Sequence, residues 1–197
     1  MITKLSFFVL LLRVSYVATV KYSDVWQFYG IIIAFLSVFV GSFGGLRQRK
    51  LKTLLAYSSI SHMGYALLAF SAGSGFGAEM LLFYLIIYML SGLAMWFVIL
   101  ATHIYQKRYI DKISKELGDL ALLRKSNPAL ALSLTVTMFS IAGIPPLVGF
   151  FAKIGIFLSV LHAKYYFVAL FVILCSVVST FYYIRIIKVL VRHVSLW

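Results

Sequence analysis

Apolar residues run through this chain in long stretches, and its polar residues collect in short clusters between them. A helix that crosses a bilayer needs about 20 mainly apolar residues, and segments 2–20, 25–46, 51–72, 78–103, 128–161 and 165–191 all satisfy this. Four of the connections are short, which predicts antiparallel hairpins, while 104–127 is the one long polar segment. Within it, Ile110, Ile113 and Leu117 recur at helical spacing among Asp111, Lys112, Lys115 and Glu116, the pattern of a short amphipathic helix lying on the membrane surface. Ser126 or Asn127 can cap the next helix, whose first-turn residue is Pro128. The pattern therefore predicts an all-α membrane protein of one domain, residues 1–197, with about six transmembrane helices and both ends on one side.

Composition fixes the solvent. With 63% hydrophobic residues, mean hydropathy +1.02 and five acidic side chains in 197 residues, there is too little polar surface to cover a water-soluble globule. The net charge of +13 is spread over loops between spans, with no nucleic-acid-binding module, so no nucleic-acid partner is expected. Threading the spans in order puts Arg47, Arg49, Lys50, Lys52, the six cations between Lys107 and Lys125, and Arg185, Lys188 and Arg192 on one side. Lys21 and Lys164 fall on the other, so the basic side should face the cytoplasm or mitochondrial matrix. Lys4 and Arg13 interrupt the first apolar run and no small-residue cleavage site follows, so a removable leader is not expected. Cys175, the single cysteine, lies in an apolar run and cannot form an internal disulfide.

Three cations fall inside apolar runs: Lys4, Arg13 and Lys153. Each costs roughly 2.5 to 3.5 kcal/mol at a helix centre even on the lenient insertion scale, so each needs a reason to be there. Lys153 follows Gly143, Pro145 and Pro146, and the double proline removes two backbone donors. As one helix, segment 128–161 would be about 51 Å long against a hydrocarbon core of about 30 Å, so length also demands a break at Gly143-Ile144-Pro145-Pro146. Broken helices at membrane depth mark ion paths, and a desolvated lysine there can exchange a proton; snorkelling to an interface is the alternative role. Lys4 and Arg13 lie on opposite faces of the first helix, about 13.5 Å apart along its axis, so they cannot share a site. Arginine holds its proton and is read as pairing or snorkelling, whereas Lys4 can titrate but by position alone reads as an exposed basic-side flank. Ser58, Ser61, His62 and Tyr65 share one face of the third span and read either as hydrogen-bonding glue between helices or as the lining of a water path. Gly41 and Gly45 allow close helix contact, and Glu79, the carboxylate nearest a span, sits at a loop edge.

These residues carry a family resemblance. Segment 41–65, with Lys52-Thr-Leu-Leu-Ala-Tyr-Ser-Ser-Ile-Ser-His-Met-Gly-Tyr65, resembles the signature of the antiporter-like membrane subunits of respiratory complex I, and its Ser-Ser-Ile-Ser-His form is similar to the subunit 2 branch. Phe139-Ser-Ile-Ala-Gly-Ile-Pro-Pro-Leu-Val-Gly-Phe-Phe-Ala-Lys153 resembles the family's broken helix, which implies the functional lysine at Lys153. Thr3-Lys-Leu-Ser-Phe-Phe-Val-Leu-Leu-Leu-Arg13 resembles the helix with the family's central lysine, which implies that role for Lys4. The resemblance covers the C-terminal half of a subunit 2 and implies half of an inverted-repeat antiporter-like fold. It departs from the family in lacking the first half's buried glutamate and further lysine, in the nearness of Lys4 to the start of the sequence, and in the absence of a final helix after residue 191.

The resemblance implies a proton-translocating part of NADH:ubiquinone oxidoreductase, in which quinone reduction elsewhere drives protonation changes on membrane lysines. It also implies a mitochondrial inner membrane, with the bacterial plasma membrane as the less expected setting, other membrane-arm subunits and lipids as partners, and a separate chain supplying the missing half. NADH, FMN, iron–sulfur clusters and ubiquinone are expected in other subunits and no cofactor in this chain, since one cysteine cannot hold a cluster and no Gly-rich nucleotide fingerprint follows a strand. The alternatives are a non-pumping structural subunit of the membrane arm and a subunit of a related cation/proton antiporter.

Overall fold

Length and side-chain chemistry determine where each helix starts and stops. The computed structural model describes residues 2–18, 20–106 and 127–191, and the predicted surface helix around Ile110, Ile113 and Leu117 lies outside the described residues. Seven α-helices are present among the described residues: α1 (Ile2–Arg13), α2 (Ser23–Leu46), α3 (Leu51–Ser71), α4 (Gly75–Gln106), α5 (Pro128–Ala142), α6 (Val148–His162) and α7 (Tyr166–Val191). The first predicted span is not one continuous α-helix. After Arg13 it widens into a π turn over Val14–Ala18 and tightens into a 3-10 turn over Val20–Tyr22. Tyr16 anchors this change of pitch: its hydroxyl donates to the Ser74 carbonyl at 3.4 Å, and its ring packs against Trp26 and Phe70.

The fifth predicted span is two half-helices, α5 and α6, of 15 residues each. Asn127 caps α5 by accepting from the Leu130 amide at 3.3 Å, and Pro128 takes the first turn, where no donor is needed. Gly143 ends α5 with φ +80°, the left-handed region that glycine enters without strain. The Gly143 amide donates to Ser140 and that of Ile144 to Phe139, closing the end in a Schellman pattern. The Pro145–Pro146 bond is cis. Residues 143–147 then lead into α6.

Among the described residues, three stretches are long and apolar enough to cross a membrane: Val20–Leu46, Gly75–Ala101 and Tyr166–Val191. The 21-residue α3 has the length but is diluted by serines and His62, and its position compensates: twelve of its residues are buried, more than in any other helix described. The surrounding helices turn large apolar side chains outward, including Phe28, Ile33, Leu36 and Phe39 on α2, Ile86, Leu90 and Phe97 on α4, and Phe167, Leu174 and Phe181 on α7. Such a surface requires lipid or protein around it.

Two apolar clusters stack along α3. One joins Leu54 and Leu55 to α5 through Leu134 and Met138, and the other joins Tyr65, Leu68 and Ala69 to α6 through Ala152, Ile156 and Val160. The helix break leaves the interior between them: Gly143 and Ile144 are half-buried, and Pro145 and Pro146 are exposed. Close approach of α2 to α3 depends on Gly41, where a Cβ would fall 2.3 Å from Ser61 Oγ and 2.8 Å from the Tyr57 carbonyl. Gly45 allows the close approach of α7, where a Cβ would fall 2.9 Å from the Tyr182 ring.

Candidate functional site

The helix break places a buried cation beside an unpaired carbonyl. In a continuing helix the Ala142 carbonyl would accept from the amide of residue 146, but that residue is proline and has none. Lys153, on the second turn of α6, takes the place of that donor: its Nζ donates to Ala142 O at 2.6 Å. Lys153 is only 6% exposed, so its charge is taken out of solvent instead of snorkelling. The ammonium also stands 5.7 Å from the centre of the Tyr65 ring, a cation–π distance. Gly143 makes room for it, and Gly149 lets α6 approach α5. A Cβ on Gly143 would come 2.8 Å from Lys153 Cδ, and one on Gly149 would come 1.9 Å from the Ser140 carbonyl.

His62 lies opposite, on α3. Its Nδ1 pairs with the Tyr84 hydroxyl at 2.5 Å and its Nε2 with the Tyr183 hydroxyl at 3.1 Å, while the Tyr183 hydroxyl also pairs with Ser58 Oγ. The Tyr88 ring stacks on the imidazole with centroids 4.7 Å apart. Between His62 and Lys153 is a cavity of about 20 Å³, walled also by Tyr84, Tyr88, Ser140 and Gly149. An internal water needs roughly 10 to 15 Å³ and at least two polar partners, so this space fits one.

A second cavity, of about 250 Å³, is walled by Lys52 at the start of α3. Lys4, Ser58, Ser59, Tyr88 and Trp96 also line it, and the Lys4 ammonium donates to Ser59 Oγ at 2.9 Å. Lys4 and Arg13 do occupy different environments: Lys4 is half-buried at this cavity and Arg13 is exposed. Tyr88 and Ile141 wall both cavities, so Lys4 and Lys153 belong to neighbouring compartments of one polar interior.

The four polar residues of α3 do not line one path. Ser58 opens on the wide cavity and His62 on the small one. Ser61 packs against Gly41 of α2, and the Tyr65 hydroxyl points toward Ser42 and Ser179. Ser61, Tyr65 and Tyr182 keep hydroxyls without a hydrogen-bond partner among the described residues. The carboxylates Asp24 and Glu79 are exposed, and no group of three metal-ligating side chains occurs among the described residues. Sequence reasoning passed over Tyr84, Tyr88 and Tyr183. Tyr84 and Tyr88 had a signal in their spacing of four on α4, which puts two phenols on one helix face.

Comparison with known proteins places the same residues in context. The family model described as "NADH:quinone oxidoreductase/Mrp antiporter, TM" matches residues 1–179. NADH-quinone oxidoreductase subunit N 1 of Rhizobium meliloti is 44% identical over 165 residues, covering 84% of this chain and 34% of the relative. NADH-ubiquinone oxidoreductase chain 2 of Marchantia polymorpha is 41% identical over 169 residues, covering 86% of this chain and 33% of the relative. A chain in the structure of respiratory complex I from Thermus thermophilus superposes with a TM-score of 0.70 at 33% identity, covering 83% of this chain and 36% of that one. The sequence thus spans about a third of the length of the relatives it matches.

Proposed function

This chain belongs to the NADH:quinone oxidoreductase/Mrp antiporter transmembrane family, and from that premise we propose that it is a C-terminal part, about a third, of an antiporter-like subunit 2, called N in bacteria, and moves protons across the membrane arm of respiratory complex I. The observation that carries the reading is Lys153: a buried lysine held by the carbonyl at a helix break and separated from His62 by room for one water. Protons enter from the basic, matrix side through the wide cavity past Lys52 and Lys4, cross between the two compartments, and reside on Lys153 or His62 before leaving toward the other side. Quinone reduction in other subunits drives the changes of protonation, and NADH, FMN, iron–sulfur clusters and ubiquinone are bound there and not here.

The relative in Marchantia supports a mitochondrial inner membrane setting, with the turn from Arg47 to Lys52 facing the matrix. Other membrane-arm subunits and lipid cover the outward apolar faces of α2, α4 and α7. The part of the antiporter-like unit outside this sequence brings the buried carboxylate that Lys4 and Lys153 lack among the described residues. The test is Lys153→Ala in the assembled complex. Proton translocation and the quinone reduction coupled to it should fall while every subunit still co-purifies, and Lys153→Arg should not restore them, because a guanidinium keeps its proton. Normal pumping by the assembled alanine variant would overturn the reading.

A further inference from the structure

We infer that Tyr183 of α7 is a proton-relay residue, the link that carries a proton from the wide cavity at Ser58 to His62. The inference rests on the proton-translocating reading above and assigns a role to a residue that sequence reasoning did not single out. Its basis is connectivity. Ser58 lines the wide cavity that Lys4 and Lys52 also wall, and its hydroxyl pairs with that of Tyr183. Tyr183 is 1% exposed, and its hydroxyl also pairs with His62 Nε2 at 3.1 Å. The other ring nitrogen, Nδ1, pairs with Tyr84 at 2.5 Å, and Tyr84 walls the small cavity that holds Lys153. Every step from one compartment to the other is therefore a direct side-chain hydrogen bond.

The donor inventory gives this chain a direction. A neutral imidazole has one N–H and one bare nitrogen, so the tyrosines on either side of His62 cannot both donate to it. In one arrangement Ser58 donates to Tyr183, Tyr183 donates to bare Nε2, and Nδ1–H donates to Tyr84. When a proton arrives on Ser58 Oγ from water in the wide cavity, the Ser58 hydroxyl proton passes to the Tyr183 oxygen and the Tyr183 phenolic proton passes to Nε2. His62 is then an imidazolium. It gives its Nδ1 proton to the Tyr84 oxygen, and Tyr84 gives its own proton to the small cavity beside Lys153. One proton has crossed, no group other than His62 has carried a formal charge for longer than a transfer, and the chain is left in the opposite polarity, with N–H on Nε2. Rotation of the three hydroxyls, and a turn of the imidazole ring that brings its N–H from Tyr183 round to Tyr84, reset it without moving a proton backwards. The competing route is water passing Tyr88, which walls both cavities.

The experiment uses the intact complex in proteoliposomes, measuring protons translocated per quinone reduced alongside subunit content. Tyr183→Phe removes one oxygen and keeps the ring. It should slow translocation about a hundredfold, the lower end of the range for a lost proton-transfer group. Full translocation by Tyr183→Phe with Lys153→Ala defective overturns the relay, sends the proton past Tyr88 and leaves the proposed function standing. Full translocation by Lys153→Ala removes the proposed function and the relay with it. Where Tyr183→Phe fails to assemble, Ser58→Ala and Ser58→Thr decide the matter. Loss in alanine and recovery in threonine, which keeps the hydroxyl, support the relay, and equal rates in the two overturn it.

Discussion

Gly149→Ala tests whether the contact between the two half-helices sets the position of Lys153. A Cβ at residue 149 would lie 1.9 Å from the Ser140 carbonyl oxygen, where carbon and oxygen normally approach no closer than about 3.3 Å. The obstacle is backbone at the last turn of α5 and cannot rotate away, so the first turn of α6 must retreat by about 1.4 Å. Lys153 is four residues further along the same helix face and moves with it. Its 2.6 Å bond to Ala142 O then opens to about 4 Å, beyond hydrogen-bonding range. Overpacking of this kind costs about 1–3 kcal/mol, and the ammonium is left without its carbonyl. Gly155→Ala is the matched control. It adds the same methyl to the same helix, but its nearest neighbour is Met80 Sδ at 2.6 Å, the end of a side chain that can swing aside. Proton translocation and thermal stability of the purified complex should both fall for Gly149→Ala and stay near the parent values for Gly155→Ala. Equal behaviour of the two variants would refute the argument that helix contact positions the lysine.

Two further predictions concern the ends of helices. Lys164 closes α6 with φ +63°, a left-handed conformation that strains any residue carrying a Cβ, so Lys164→Gly should stabilise the protein by about 0.5–1 kcal/mol, read as a higher melting temperature in detergent. Residues 104–127 should react with membrane-impermeant reagents or proteases from the matrix or cytoplasmic side alone, and labelling from the opposite side would mean that a span is miscounted.

Much of this architecture was legible because lipid imposes simple rules on length and polarity. The ends of α2, α3, α4 and α7 fall within a few residues of the apolar runs, and the break after Ala142 follows from two prolines and an overlong segment. The widening after Arg13 was not legible, since no residue there forbids an α-helix and the contact that accompanies it, Tyr16 with Ser74, is distant in sequence. The site divided in the same way. Lys153 stood out because a cation in an apolar run is costly, while Tyr84, Tyr88 and Tyr183 did not, because a phenol is at home in a membrane helix whether or not its hydroxyl has work to do. Grouping Ser58, Ser61, His62 and Tyr65 on one face was sound helical geometry, but a central helix has neighbours on every flank, and α2, α4 and α7 divide the four between them.

The polarity of α3 also bears on how the protein enters its membrane. A segment carrying Ser58, Ser59, Ser61 and His62 partitions into lipid less readily than its neighbours, and its hydroxyls and imidazole need partners before they leave water. The preceding helix is apolar enough to cross a membrane, is joined to α3 by a short basic turn, and fits it closely through the glycine at position 41. The two helices therefore behave as one passenger, with α2 carrying α3 into the bilayer and the basic turn held back on the side where synthesis occurs. Damage to the glycine contact should then appear first as failed biogenesis of the whole chain, before any defect in transport can be observed.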